Sequence, residues 1–319
     1  MKIIGKIQGF FLDRAMNPLF KKENNVCRYE TSVSYNEDSI ERFFIPKESA
    51  KYRPEGLRGL VRLSPIVISN VINLHKAIDT LKKNPSNPKK RITKAELKDV
   101  ENYAKQIGID LIGYAKVEPQ NIFKEKCVLY KNAIVLGMEM NKEKMDTSPS
   151  FKAIKEVMHT YNKLGILTNK LTKYLRKLGF SAHAGHPLGG ISLYPPLAQA
   201  AGLAWIGYSG LMISPEFGPR FRISAIYTNI ENLPFAKENK HSWIEDYCKK
   251  CRKCIRSCPG KAILDEPIIH SSGRITHIIQ EKCMPHFTNE YGCSICLKVC
   301  PFNNKDYYEI KKNFESKKK

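Results

Sequence analysis

The chain has no run of about eighteen consecutive apolar residues, so it offers no candidate for a membrane-spanning helix. Its first residues, MKIIGKIQGFFLDRAMNPLF, hold a short apolar patch but neither a small-residue cleavage site nor a twin arginine. The expected location is therefore the cytoplasm. Negative charge is also scarce. Against 53 Lys and Arg stand 31 Asp and Glu, a formal net charge of +22. That excess invites a nucleic-acid partner. The lysines, however, are spread over the whole chain beside abundant Asn and Ile, as a compositional bias of the genome would also give. Apolar residues make up 42% of 319, enough for a buried core and for two or three domains.

What the sequence does have is cysteine, concentrated near the C-terminal end. Cys248, Cys251, Cys254 and Cys258, followed by Pro259, carry the C-x2-C-x2-C-x3-C-P spacing of two-cluster bacterial ferredoxins. Cys293, Cys296 and Cys300, followed by Pro301, repeat its last three positions, and Cys283 supplies the missing ligand. Cysteine at every third position of a looping backbone turns three thiolates toward one point, and the fourth is carried on to the other cluster. The ligands should therefore cross. Cys248, Cys251, Cys254 and Cys300 would hold one [4Fe-4S] cluster, and Cys258, Cys283, Cys293 and Cys296 the other. Zinc ribbons use two separated C-x2-C pairs, which this pattern does not fit. Cys27 and Cys127 are left over, and in a reducing cytoplasm their expected role is packing rather than a disulfide. Lys249, Lys250, Arg252, Lys253 and Arg256 lie among the first ligands. They would favour the reduced, more anionic cluster or dock an acidic electron donor; a merely solvated charged face is the plainer reading.

Upstream, helices and strands interleave, as in an α/β or α+β layer. Residues 1–92 carry one predicted helix, from Ser64 as N-cap with Pro65 at its first position. The stretch from Asn84 to Arg91 is proline-broken and marks a boundary. Thr93 and Glu96 form a capping box, and Gly108 ends that helix. Strands are expected from Ile109, over Asn132–Met140, over Phe180–Ala182 and over Phe221–Thr228. Ser150 opens the longest helix, which Gly179 stops, with Gly165 as its weak point. The Gly/His/Pro-rich stretch HAGHPLGG reads as a loop. YPPLAQA begins a short helix that Gly202 closes. The end, KKNFESKKK, reads as a mobile charged tail.

The segment AGLAWIGYSGLMISPEFGPRFR (Ala201–Arg222), with TNIENLPF and the cysteine module behind it, resembles the epoxyqueuosine reductase and reductive dehalogenase superfamily. AGLAWIG is nearer the former and ISPEFGPRFR nearer the latter. The resemblance implies a nitroreductase-like, cobalamin-binding domain over residues 93–240, a two-cluster ferredoxin domain over 241–305 and a basic tail over 306–319. It further implies that electrons pass singly through the clusters to the corrinoid cobalt, which reduces the substrate while a nearby acid gives a proton. Arg222 matches an arginine lining the dehalogenase pocket. Tyr161 stands near where those enzymes keep a tyrosine proton donor, and an adjacent cation would suit a phenol to that role. Its place on the apolar stripe of the long helix equally suits a core residue. The stretch HPLGGISLYPPLAQA lacks the aspartate of epoxyqueuosine reductases, and Gly189 stands nearest the dehalogenases' asparagine. His183 and His186 are alternative proton sources.

The leading expectation is thus a cytoplasmic, oxygen-sensitive, corrinoid-dependent reductase. It would take electrons from a ferredoxin or flavodoxin and act on a small molecule, with the basic residues by Cys251 on the side where they enter. The alternatives are a ferredoxin-type electron carrier without a corrinoid and an epoxyqueuosine reductase acting on tRNA.

Overall fold

The computed structural model describes residues 18–42 and 56–317. The predicted patch in residues 1–17 lies outside them. The first long helix, α1 (Gly56–Asp79), contains Pro65 in its interior rather than starting there. Proline lacks the N–H that would bond the Val61 carbonyl four residues back. The Ser64 hydroxyl donates to that carbonyl instead, at 2.9 Å. A serine read as an N-cap is thus a repair inside the helix. After Asn84–Arg91 comes α2 (Lys94–Gln106), with the Thr93–Glu96 capping box formed in both directions. The proline-broken stretch before it is packed: Asn84 Oδ1 accepts from Arg176 Nε at 2.8 Å and from the Ala182 amide at 3.0 Å.

The centre is an antiparallel sheet of four strands, β1 (Leu111–Lys116), β2 (Asn132–Glu139), β3 (Ala182–Gly185) and β4 (Phe221–Thr228), in the spatial order β1-β2-β4-β3. Its antiparallel pairing makes the layer α+β. Ile134, Leu136, Met138 and Ile226 face α2 and the long helix α3 (Phe151–Lys177). Ala133, Val135, Ala225 and Tyr227 face the other side, against α4 (Tyr194–Ala200). Both faces are covered, which is why β2 reads as an unbroken apolar run rather than an alternation. Ser150 caps α3 by accepting from the Ala153 amide. Gly165, in mid-helix, is where His186 presses in: a Cβ there would collide with its Nε2.

The N-terminal segment is not held by packing alone. Cys27 and Cys127 form a disulfide across 100 residues of sequence, correcting the expectation of two free packing thiols. Val33–Ser34 pairs with Cys127–Val128, and that two-stranded contact brings the sulfurs together. Beside it a buried ion pair joins Arg42 to Glu23 at 2.7 Å, and Arg42 also donates to the Gly189 carbonyl at 3.3 Å.

The cysteine-rich region begins with α5 (Trp243–Cys251). Between the two cysteine runs stands a β-hairpin, β5 (Ile263–Ile269) with β6 (Ile275–Ile278), where the sequence suggested no element. Pro267 obscures its alternation, and Arg274 fastens it to the Asp38 carbonyl at 3.0 Å. The expected mobile tail is a helix, α6 (Tyr307–Glu315), N-capped by Asp306, with Tyr307, Ile310 and Phe314 buried. Lysines at its end mask three apolar positions spaced three and four apart.

Arg220, 8% exposed, joins sheet to cysteine region: its guanidinium donates to the Asn303 carbonyl at 3.3 Å, to Asn303 Oδ1 at 3.2 Å and to Glu139 at 3.0 Å. Replacing it with alanine strands these acceptors. The variant Arg220→Ala should lose about 2–3 kcal/mol of stability, measured as a lower midpoint in denaturant; an unchanged midpoint contradicts the joint.

Candidate functional site

Each cysteine run turns on a left-handed residue at the same place in the repeat. Arg252, φ 50°, follows Cys251, and Ser294, φ 64°, follows Cys293. Non-glycine residues take that conformation at a cost. Here it reverses the chain between one sulfur and the next and starts the short helices Lys253–Ser257 and Ile295–Lys298. In the second run Glu290 occupies the position that Cys248 holds in the first, so the fourth sulfur is missing there. Cys283 reaches in from the helix Gln280–Asn289.

The eight thiols lie within electrostatic reach of one another, partly along the crossed sets and partly between them. Cys300 feels the charges of Cys248, Cys254 and Cys251, its partners in the first set. Cys296 feels Cys293, Cys283 and Cys258, and also Cys254 of the neighbouring set. Burial above all, with neighbouring thiols adding, pushes Cys248 and Cys296 up to about 12 and Cys300 higher still. The eight cysteines are half-buried, and four thiolates brought together need compensating cations. Iron bound one atom to each sulfur supplies that charge, so the donor set fits a cubane cluster. Backbone amides of Tyr208 and Phe302 are directed at Cys248 and Cys300.

The basic residues there are less free than their number suggests. Lys249 pairs with Glu245 at 3.2 Å, and Arg252 with Glu266 at 3.2 Å. Lys253 and Arg256 are exposed.

Tyr161 and Arg222 come from different elements, α3 and β4, and the fold brings them together. The Arg222 guanidinium lies over the Tyr161 ring, 4.8 Å from its centre. Arg222 Nε and the Oδ1 of the adjacent Asn162 are buried without hydrogen-bond partners. Tyr161 also packs with Leu211 and Leu297 in one apolar cluster with Met140, Met145 and Val157. Leu297 lies between Cys296 of one set and Cys300 of the other, so the tyrosine shares a cluster with a residue flanked by ligands of both. Sequence reading missed Asn162, whose only signal is its adjacency to Tyr161. It also missed Arg220, two residues before Arg222 in the same GPRFR motif.

His183 and His186 are placed elsewhere. His183 lies on β3, not in a loop, is 1% exposed, and tilts against the Tyr227 ring at 5.6 Å. Its Nδ1 has no partner. His186 is 4% exposed and accepts at Nδ1 from the Leu188 amide at 3.1 Å. Both line a water-sized cavity with Leu74, Ile78 and Gly190. Burial first, then the Arg176 charge, lowers His183 to about 3; burial lowers His186 to about 4. Both are neutral at pH 7, and a ring so reluctant to hold a proton is ill suited to deliver one.

Residues 247–303 match the 4Fe-4S double cluster binding domain. The relatives that the chain matches include reductive dehalogenases and epoxyqueuosine reductases, so the likeness read from the motifs holds. The tetrachloroethene reductive dehalogenase of Desulfitobacterium hafniense is 34% identical over 211 residues, covering 61% of this chain and 37% of that one. That of Sulfurospirillum multivorans is 30% identical over 181 residues, covering 54% and 35%. The epoxyqueuosine reductase of Francisella cf. novicida is 35% identical over 130 residues, covering 38% and 35%. The chain thus spans little more than a third of these relatives' lengths. In fold it matches a catabolic reductive dehalogenase solved with 3-bromo-4-hydroxybenzoic acid, with a TM-score of 0.63 at 19% identity, over 84% of this chain and 40% of that one. Among the described residues no helix is long and apolar enough to cross a membrane.

The two histidines generate a pH dependence. Their folded pKa values lie below the unfolded value near 6.5, so the unfolded chain binds more protons between about pH 3 and 6.5. The stability they contribute is full above pH 6.5 and is lost as pH falls toward 4. Each should give up to about 1.4 kcal/mol per pH unit in that window. Denaturant titrations from pH 7 to pH 4.5 should show a shallower decline in His183→Asn than in the parent; equal slopes contradict the placement.

Proposed function

We propose that the chain is the electron-delivering and substrate-reducing part of a corrinoid-dependent iron–sulfur oxidoreductase. Single electrons from a ferredoxin or flavodoxin pass through two [4Fe-4S] clusters. The observation that carries this is the meeting of Tyr161 and Arg222 in one cluster with Leu297, a residue flanked by ligands of both cysteine sets. The unpartnered Arg222 Nε, and the Oδ1 of Asn162 next to Tyr161 in sequence, are a buried donor and acceptor that the amide-rimmed edge of a cobalamin can satisfy. Asn162, Arg222 and Tyr161 are the residues that would hold and face it. When bound, a reduced corrinoid supplies a strong nucleophilic reductant.

The chain's own residues supply the rest. Tyr161 holds a proton at its phenol oxygen, close to where negative charge develops. Arg222, lying over the ring, fixes its orientation and adds positive potential. The apolar neighbours Leu211, Leu297 and Met140 exclude water. The likeness to the dehalogenases extends over 61% of the chain and that to the epoxyqueuosine reductases over 34–44%, which favours a small-molecule electron acceptor over tRNA.

Protein reconstituted without air and titrated with cobalamin should change the corrin absorption spectrum and raise the melting temperature, with Arg222→Met weakening both. No change with cobalamin removes the corrinoid from the account. Tyr161→Phe should retain clusters and corrinoid and lose turnover by about 10²–10⁴-fold; full activity removes Tyr161 as the acid.

A further inference from the structure

The two clusters do not have equivalent surroundings. Cys248 and Cys300 pack into a buried apolar cluster with Trp205, Trp243, Tyr247, Phe302 and Tyr307. Among the described residues the other six, Cys251 and Cys254 of the same set and all four of the second, pack into none of the buried apolar clusters, so the asymmetry rests on Cys248 and Cys300. The wall around the first set is closed by α6. Phe314 sits 5.6 Å from the Tyr247 ring and 6.0 Å from the Trp243 ring, and Tyr247 and Phe302 meet edge to face at 5.1 Å. Tyr307 is clamped in place: the Trp243 indole donates to its hydroxyl at 2.8 Å, and the hydroxyl meets His241 Nδ1 at 2.7 Å. Outside, Lys250 lies over Phe314 at 5.2 Å, so the wall is apolar toward the sulfurs and charged toward solvent.

We propose that this aromatic wall, completed by α6, keeps water from the cluster of Cys248, Cys251, Cys254 and Cys300 and so makes it the lower-potential cluster of the two. Reduction adds a negative charge, and a cluster backed by rings rather than water gains less solvation when it is reduced. The second cluster has no such aromatic wall, although the Cys296 sulfur itself is buried, and is the easier to reduce. Phe314 acts here as a positioning residue, working through Tyr247 and Trp243. The proposal rests on the two-cluster reading and adds an order to it.

The test is an anaerobic redox titration followed by electron paramagnetic resonance, on the full chain. In the parent, two reduction steps are expected. Cys283→Ser, which alters a ligand of the second cluster alone, assigns them. In Phe314→Ala the lower step should move to higher potential while the upper stays, and that cluster should bleach several-fold faster in air. Phe314→Leu, which keeps an apolar side chain and protects the fold, should shift the same step less. Lys312→Ala, exposed on the same helix, should shift neither. If both steps move together in the Phe314 variants, or neither moves, the wall has no such role. If the parent binds fewer than about eight irons per chain, it is the two-cluster reading that fails instead.

Discussion

Bringing eight thiolates to two points is the constraint on which the rest of this structure depends. Thiolates that repel one another are tolerable only around a compensating positive core. To converge, the backbone must reverse sharply twice, and it does so through the left-handed Arg252 and Ser294. Those turns leave the cysteine region a small core of its own, around Trp243, Ile244, Tyr247 and Phe302. The rest of its stability must come from neighbours: the sheet through Arg220, the long helix through Leu297, and the C-terminal helix through Tyr307 and Phe314.

That dependence gives the molecule its functional geometry. The same loop that presents Cys296 and Cys300 inserts Leu297 beside Tyr161. The same motif that supplies Arg220 to the joint supplies Arg222 to the tyrosine ring. A Cβ at Gly218 would collide with the Phe302 carbonyl oxygen, so the turn before Arg220 must be glycine for the two parts to close. One short stretch, Ser214–Arg222, therefore both docks the cysteine region and furnishes the arginine that lies over Tyr161.

The parts legible in the sequence were those governed by local rules. The Thr93–Glu96 capping box, the Ser150 cap, the strand Phe221–Thr228 and the eight-cysteine spacing are each set within a few residues. What escaped was set by distant partners. The Cys27–Cys127 bond spans 100 residues. Pro65 sits inside a helix because Ser64 takes over its missing bond. His183 looks like a loop residue until β4 supplies the strand it pairs with. The apolar positions of α6 look like a lysine tail until Trp243 and Tyr247 cover them. The disulfide also bears on location, since such bonds persist mainly in oxidising compartments; it pulls against the cytoplasmic expectation.

On the proposed function, the sheet is a platform, the cysteine region a conductor and the Tyr161–Arg222 pair the place where charge and proton meet. The central claim is that two cubane clusters are bound by the crossed sets of cysteines. Analysis of iron, zinc and acid-labile sulfide in protein purified without air tests it most directly. The account predicts about eight irons and eight sulfides per chain, with a reduced-state resonance spectrum of two interacting [4Fe-4S] clusters. Zinc in place of iron, or iron sufficient for a single cluster, would contradict it.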